Sequence, residues 1–200
     1  MLSATEILAI VSSKEELYHK ARFFAANAHK TQKIPGTKLP YILHPESVVS
    51  ELRIAASVDP RLREDLMVVV GYLHDVLEDT NETEETLRLE FGNDVTVGVK
   101  ATTKNKALPE EEQMRDSITR IKELDPEIWC VKLADRCVNL GEPPAFWSIE
   151  KIAAYVKEAA LILQELGPAN DYLRERLRWK ITIYTQMYVK PGETLARGSR

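Results

Sequence analysis

The apolar run Leu66 to Val70 leads straight into Gly71-Tyr72-Leu73-His74-Asp75-Val76-Leu77-Glu78-Asp79-Thr80, and this junction constrains the chain more than any other stretch. An apolar run of this kind reads as part of a buried helix. Positions four apart on a helix share a face. His74 with Glu78, and Asp75 with Asp79, would therefore set an imidazole and three carboxylates along one helix edge. Buried charge without a partner is very costly. The simplest partner for clustered carboxylates and a histidine is a divalent cation. The competing reading is a solvated helix end with His74 as a hydrogen-bonded core histidine.

The rest of the chain reads as helix. Ser13 before Lys14-Glu15-Glu16 predicts a helix to about His29, with Leu17, Ala21, Phe24, Ala25 and Ala28 as its apolar stripe. A basic loop broken by Pro35, Gly36 and Pro40 runs from Lys30 to Leu43. Pro45 opens a helix to about Ser57, and Asp59-Pro60 starts the one that ends at His74-Asp75. Further helices are expected from Thr83 to Phe91, Asn93 to Ala101, Pro109 to Leu124, Ile128 to Asn139, Ser148 to Leu166 and Asp171 to Tyr188. No segment alternates convincingly as a strand. The expected fold is all-α, one domain over 1–190, with 191–200 as a disordered tail.

Composition narrows the function classes. The chain has 200 residues, 44% hydrophobic and 29% charged, as in an ordinary globular protein. A net charge of −4 argues against a nucleic-acid polymer as partner. No apolar run reaches the roughly 20 residues of a membrane span. The start, Met-Leu-Ser-Ala-Thr-Glu, has no secretory pattern. Cys130 and Cys137 read as reduced core thiols in a cytoplasmic protein.

Three further spots join the opening stretch. His44-Pro45 lies at a loop-to-helix junction. Asp135 falls inside the apolar segment Trp129, Val131, Leu133, Val138, where a salt bridge to Arg136 is the alternative reading. Asn139 follows it one turn later. His44, His74, Asp75 and Asp135 together form a nitrogen and oxygen ligand set that suits manganese, iron or zinc.

Those residues sit in motifs that occur in a set order. They are Ala28-His29-Lys30-Thr31-Gln32, Pro40-Tyr41-Ile42-Leu43-His44-Pro45, Leu73 through Thr80, Phe91-Gly92, Thr103-Lys104 and Lys132-Leu133-Ala134-Asp135-Arg136 through Asn139-Leu140. This order resembles the HD metal-dependent phosphohydrolases, and within them the hydrolase domain of Rel/Spo-type alarmone enzymes. With no room for a synthetase domain, the chain is similar to the stand-alone small alarmone hydrolases over roughly residues 20 to 165. The resemblance implies an HD-domain helical bundle that removes the 3′-pyrophosphate of ppGpp and pppGpp, usually with manganese. It implies His44, His74, Asp75 and Asp135 as metal ligands. Glu78 and Asp79 match the acidic pair that positions or activates water, while Asn139 and Lys104 match residues near nucleotide and phosphate.

One segment departs from the pattern. The family carries Arg and Lys after the glutamine, and the Arg stacks on guanine. This chain reads Gln32-Lys33-Ile34-Pro35-Gly36-Thr37-Lys38-Leu39-Pro40-Tyr41. Lys33 and Lys38 are the candidate basic contacts, and Tyr41 a candidate pocket residue. Lysine neither stacks nor forks as arginine does. Another nucleotide therefore stays open as substrate, such as an adenine alarmone or the 2′-phosphate of NADPH. A non-catalytic nucleotide-sensing module is the third reading.

Overall fold

A computed structural model describes residues 3–189. The expected tail at 191–200 lies outside the described residues, as do Met1, Leu2 and Lys190. Among the described residues there are helices and loops and no strand, only an isolated antiparallel bridge between Lys33 and Pro40. The helices are α1 (Ala4–Ala28), α2 (Leu43–Val58), α3 (Glu64–Leu73), α4 (Val76–Asp79), α5 (Glu84–Phe91), α6 (Asn93–Thr102), α7 (Glu110–Lys122), α8 (Pro126–Asn139), α9 (Ile149–Leu166) and α10 (Asp171–Tyr184). A 3-10 turn, Gly167–Ala169, precedes α10, and a π-helical turn, Thr185–Val189, follows it.

The all-α expectation holds, and the helix ends follow from local chemistry. Thr83, Ser148 and Asn170 cap α5, α9 and α10 by accepting from the amides of Thr86, Lys151 and Leu173. Pro126 occupies the first turn of α8, where its missing N–H is harmless. Two helix starts lie well away from expectation, and the last helix gives way at Tyr184 to a π-helical turn where a helix to about Tyr188 is expected. Helix α1 starts at Ala4, not Ser13, because Ser3 and Glu6 form a reciprocal capping box. Residues 59–63 make a turn, closed by the Leu62 amide on the Asp59 carbonyl, and α3 begins only at Glu64.

Helix α3 is the hub. Every residue from Leu66 to Leu73 is buried, and α1, α2, α6 and α8 pack around it. The core is one cluster that extends from α3 through Leu52 of α2 and Leu133 of α8 to α9, where Ile162 and Leu166 are fully buried. Cys130 and Cys137 are buried free thiols, with burial pushing each pKa up to about 12. Trp129 packs on the core and donates to the Leu124 carbonyl, whereas Trp179 is 53% exposed with Arg176 over its ring.

Close approach of α3 to α2 depends on Gly71. A Cβ there would lie 2.6 Å from Leu52 Cδ1 and 3.2 Å from Val49 Cγ2. Both neighbours are buried and have little room to retreat. Gly71→Ala should therefore lose net stability of about 1 kcal/mol. Overpacking of about 1–3 kcal/mol outweighs a helix-propensity gain of about 1 kcal/mol. A lower urea midpoint at unchanged slope is the expected reading; an unchanged or higher midpoint would refute the close-packing account.

Candidate metal centre

The opening stretch is not one continuous helix. Helix α3 stops at Leu73, His74 and Asp75 form a turn, and α4 holds only four residues. The local cause is a side chain competing for the backbone. His74 Nδ1 bonds the Gly71 carbonyl at 2.8 Å, the acceptor that the next helical amide would otherwise use. The Asp75 carbonyl then accepts from the amides of Glu78 and Asp79 and starts a new turn. Four-residue spacing on one helix edge therefore does not describe this site. The break turns His74 and Asp75 toward the interior and leaves Glu78 and Asp79 on a separate short turn.

His44 comes from the first turn of α2, and Asp135 from the middle of α8. The structure brings both to the central pair. His44 Nε2 lies 3.3 Å from His74 Nε2, 3.5 Å from Asp75 Oδ2 and 3.3 Å from Asp135 Oδ1. His74 Nε2 lies 3.0 Å from Asp75 Oδ2 and 3.6 Å from Asp135 Oδ1. One donor atom each from His44, His74 and Asp75 falls within 4.8 Å of the others, and Asp135 closes on both imidazoles. The salt bridge considered for Asp135 and Arg136 does not form; Arg136 turns to Glu158 on α9 instead.

These donors fit a metal ion. A carbonyl only accepts, so His74 Nδ1 carries a proton, and a ring that is otherwise unprotonated would present the Nε2 lone pair to a metal ion. That lone pair faces carboxylate oxygens and a second imidazole, an arrangement that needs a cation between them. Separations of 3.0–3.6 Å suit a polyhedron with metal–ligand bonds of about 2.1 Å. Without a metal ion, a proton on His74 answers the same demand for positive charge. Burial opposes protonation of His74, but Asp75 and Asp135 outweigh it and raise its pKa well above the imidazole range. Burial also favours the neutral forms of Asp75 and Asp135. The His74 charge holds Asp75 well below the usual carboxylate range, and Lys132, then the imidazoles, do so for Asp135.

Other expected residues take definite places. The Tyr41 hydroxyl donates to Asp75 Oδ2 at 2.5 Å, and burial, then the Asp75 charge, raise its pKa far above that of free tyrosine. The Asn139 amide donates to Asp135 Oδ1 at 2.5 Å. Glu78 accepts from the Lys104 amide at 2.9 Å, which ties the acidic turn to the segment after α6. Asp79 is exposed at the rim; what desolvation it has, then Asp75 and Glu78, raise its pKa. Lys33 donates to the Lys38 carbonyl at 3.2 Å, within its own loop, and both lysines are exposed.

Three residues without an assigned role in the sequence prove to organise the site. The His29 ring bonds Gln32 through Nδ1 and stacks near Tyr41, with centroids 4.7 Å apart. Gln32 in turn donates to the Asp79 carbonyl at 2.6 Å. The basic loop is thereby fastened to α4. Lys132 is buried beside Asp135. It opens the motif that holds Asp135, and its spacing of three residues from Asp135 on a helix was the signal that could have marked it.

Comparison with known proteins follows this geometry. The HD domain profile matches residues 21–170. The chain belongs to the HD-domain family. Among its relatives is the guanosine-3′,5′-bis(diphosphate) 3′-pyrophosphohydrolase MESH1 of Xenopus tropicalis, 33% identical over 84% of this chain and 94% of that protein. The Homo sapiens protein of the same name is 32% identical over 80% of this chain and 89% of its own length. A solved structure described as a metazoan ortholog of SpoT that hydrolyzes ppGpp superposes with a TM-score of 0.73 at 26% identity, covering 84% of this chain and 94% of that one. This HD domain thus shares both fold and sequence with alarmone hydrolases over most of its length.

In this HD domain the Arg136–Glu158 pair clamps α8 to α9 beside the centre, with the guanidinium carbon 4.1 Å over the Tyr155 ring. Burial pushes the Glu158 carboxyl up, but Arg136 foremost, then Lys104 and Lys132, bring it below the ordinary glutamate value. A lowered carboxylate contributes stability that is complete above its unfolded pKa and lost as pH falls through the folded value. Glu158→Gln leaves Arg136 buried without its anion and should cost about 2 kcal/mol at pH 7, discounted for partial exposure. The difference from wild type should begin to shrink as pH falls below the ordinary glutamate value, and be gone only once pH is below the lowered folded value. Urea melts across this pH range check this, and a pH-independent deficit would refute it.

Proposed function

We propose that this protein removes the 3′-pyrophosphate of ppGpp and pppGpp, giving GDP or GTP and pyrophosphate, with manganese as its metal. The observation that carries this reading is the convergence of His44, His74, Asp75 and Asp135 on one point. The named activity of relatives that match most of the chain supports the substrate. We further propose residues 1–190 as the hydrolase domain and the cytoplasm as its location. No helix among the described residues is long and apolar enough to cross a membrane, and an acidic chain is poorly suited to a nucleic-acid polymer.

In this proposal His44, His74, Asp75 and Asp135 hold the metal. A bound divalent ion polarises phosphoryl oxygens and lowers the pKa of water. Glu78, fixed by the Lys104 amide, orients the attacking water. Asp79, whose raised pKa suits proton exchange, takes up its proton. The new bond joins the water oxygen to phosphorus, the bond to the ribose 3′ oxygen breaks, and that oxygen leaves as the 3′ hydroxyl on the proton that Asp79 returns. Tyr41 and Asn139 hold the Asp75 and Asp135 carboxylates and border the nucleotide. Lys33, Lys38 and Lys104 offset phosphate charge.

The second reading, a phosphohydrolase on another nucleotide, is favoured by one observation. No arginine stands in the loop to stack on guanine, and Lys33, which gives one proton to the Lys38 carbonyl, has no planar group to take that place. A panel of ppGpp, an adenine alarmone and NADPH, with manganese added and then chelated, separates the readings. Pyrophosphate release from ppGpp that stops on chelation is expected. Phosphate release from NADPH alone would move the assignment to the second reading, and no turnover at all to a sensing module. His74→Ala and Asp75→Ala should each lose bound manganese and about a thousandfold or more in kcat. Turnover at the wild-type level in either would end the proposed mechanism.

A further inference from the structure

Lys132 lies one helical turn before Asp135 on α8, and only 6% of it is exposed. Its neighbours Val131 and Leu133 are fully buried. Burying an ammonium is costly, and apolar residues of similar volume often replace buried ion pairs with no loss of stability. Fold stability alone therefore gives little reason for a lysine here. Its ammonium sits 3.2 Å from Asp135 Oδ2. The other oxygen of the same carboxylate, Oδ1, meets a different set: His44 Nε2 at 3.3 Å, His74 Nε2 at 3.6 Å and the Asn139 amide at 2.5 Å. One carboxylate thus has its two oxygens assigned to separate partners.

We propose that Lys132 is the positioning residue of the metal centre. It occupies Asp135 Oδ2, so that only Oδ1 turns to the two imidazoles, and its positive charge limits how tightly the centre holds a divalent cation. The inference rests on the metal reading of the four ligands given above. Ionised Asp75 and Asp135 with neutral histidines carry two negative charges, and Lys132 returns one positive charge at contact distance from one of them. Two consequences follow. A carboxylate engaged through one oxygen leaves coordination space for water and substrate. A nearby like charge weakens cation binding and speeds exchange of what the cation holds.

The test uses the full chain stripped of metal, with manganese alone as the probe, in calorimetric titration, thermal melts and steady-state kinetics. Lys132→Met should bind manganese about tenfold tighter than wild type. It should also show a larger rise in Tm on adding manganese, because the cation takes over as the partner of Asp135. Its kcat should fall about tenfold to a hundredfold with little change in KM. Lys132→Gln keeps a donor for Oδ2 without the charge, so it should bind manganese tighter yet keep a kcat nearer wild type. Lys132→Arg should stay close to wild type in all three measurements. Affinity and kcat within twofold of wild type in Lys132→Met would overturn the inference while leaving the metal reading intact. Weaker manganese binding with a lower metal-free Tm would overturn it too, since that is what a lysine that merely braces α8 would give. If Lys132→Met does not fold, Lys132→Gln decides by the same affinity criterion. A wild-type chain that binds no manganese would overturn the metal reading and this inference with it.

Discussion

Electrostatic compensation inside the core governs this molecule. Two aspartates and two histidines from three separate parts of the chain meet at contact distance among apolar helices. Left alone, the carboxylates would repel each other and the imidazole lone pairs would face acceptors. The surrounding atoms answer part of that problem: the Gly71 carbonyl fixes one ring, Tyr41 and Asn139 donate to the carboxylates, and Lys132 adds a positive charge. What remains is the demand for a cation at the centre, and the activity proposed for the chain follows from meeting it.

The scaffold serves that demand through interruption as much as through regularity. Helix α3 is buried without interruption from Leu66 to Leu73, yet the site forms where its ladder ends. The same pattern recurs around the rim. Glu78 is held by a backbone amide of the segment after α6, and Asp79 by the Gln32 side chain through its carbonyl. Acidic groups are thereby placed by partners from distant loops, with the backbone supplying one half of each bond, and backbone moves less than long side chains do.

Much of this was readable from the residues, for identifiable reasons. Helices with an apolar stripe, such as the one holding Ala21 and Ala25, declare themselves by periodicity. The four residues proposed as ligands stand out because His and Asp are rare in apolar surroundings. Failures arose where two local signals compete. Ser13 followed by acidic residues imitates a helix start, while the true one, Ser3 with Glu6, has no apolar run before it to mark it. The break at His74 was invisible because it depends on a side chain reaching its own backbone. Lys132 was masked by its apolar neighbours, and the His29–Gln32 link by lying in a loop without periodicity.

The basic loop has a second fastening, at Gly36. Its φ is +79°, and a Cβ there would stand 3.3 Å from Pro144 Cβ, in the irregular segment between α8 and α9. Two connections far apart in the chain therefore share one seam. Lengthening either would pry at the other, and a graft of the loop from a relative would need its matching counterpart to seat properly.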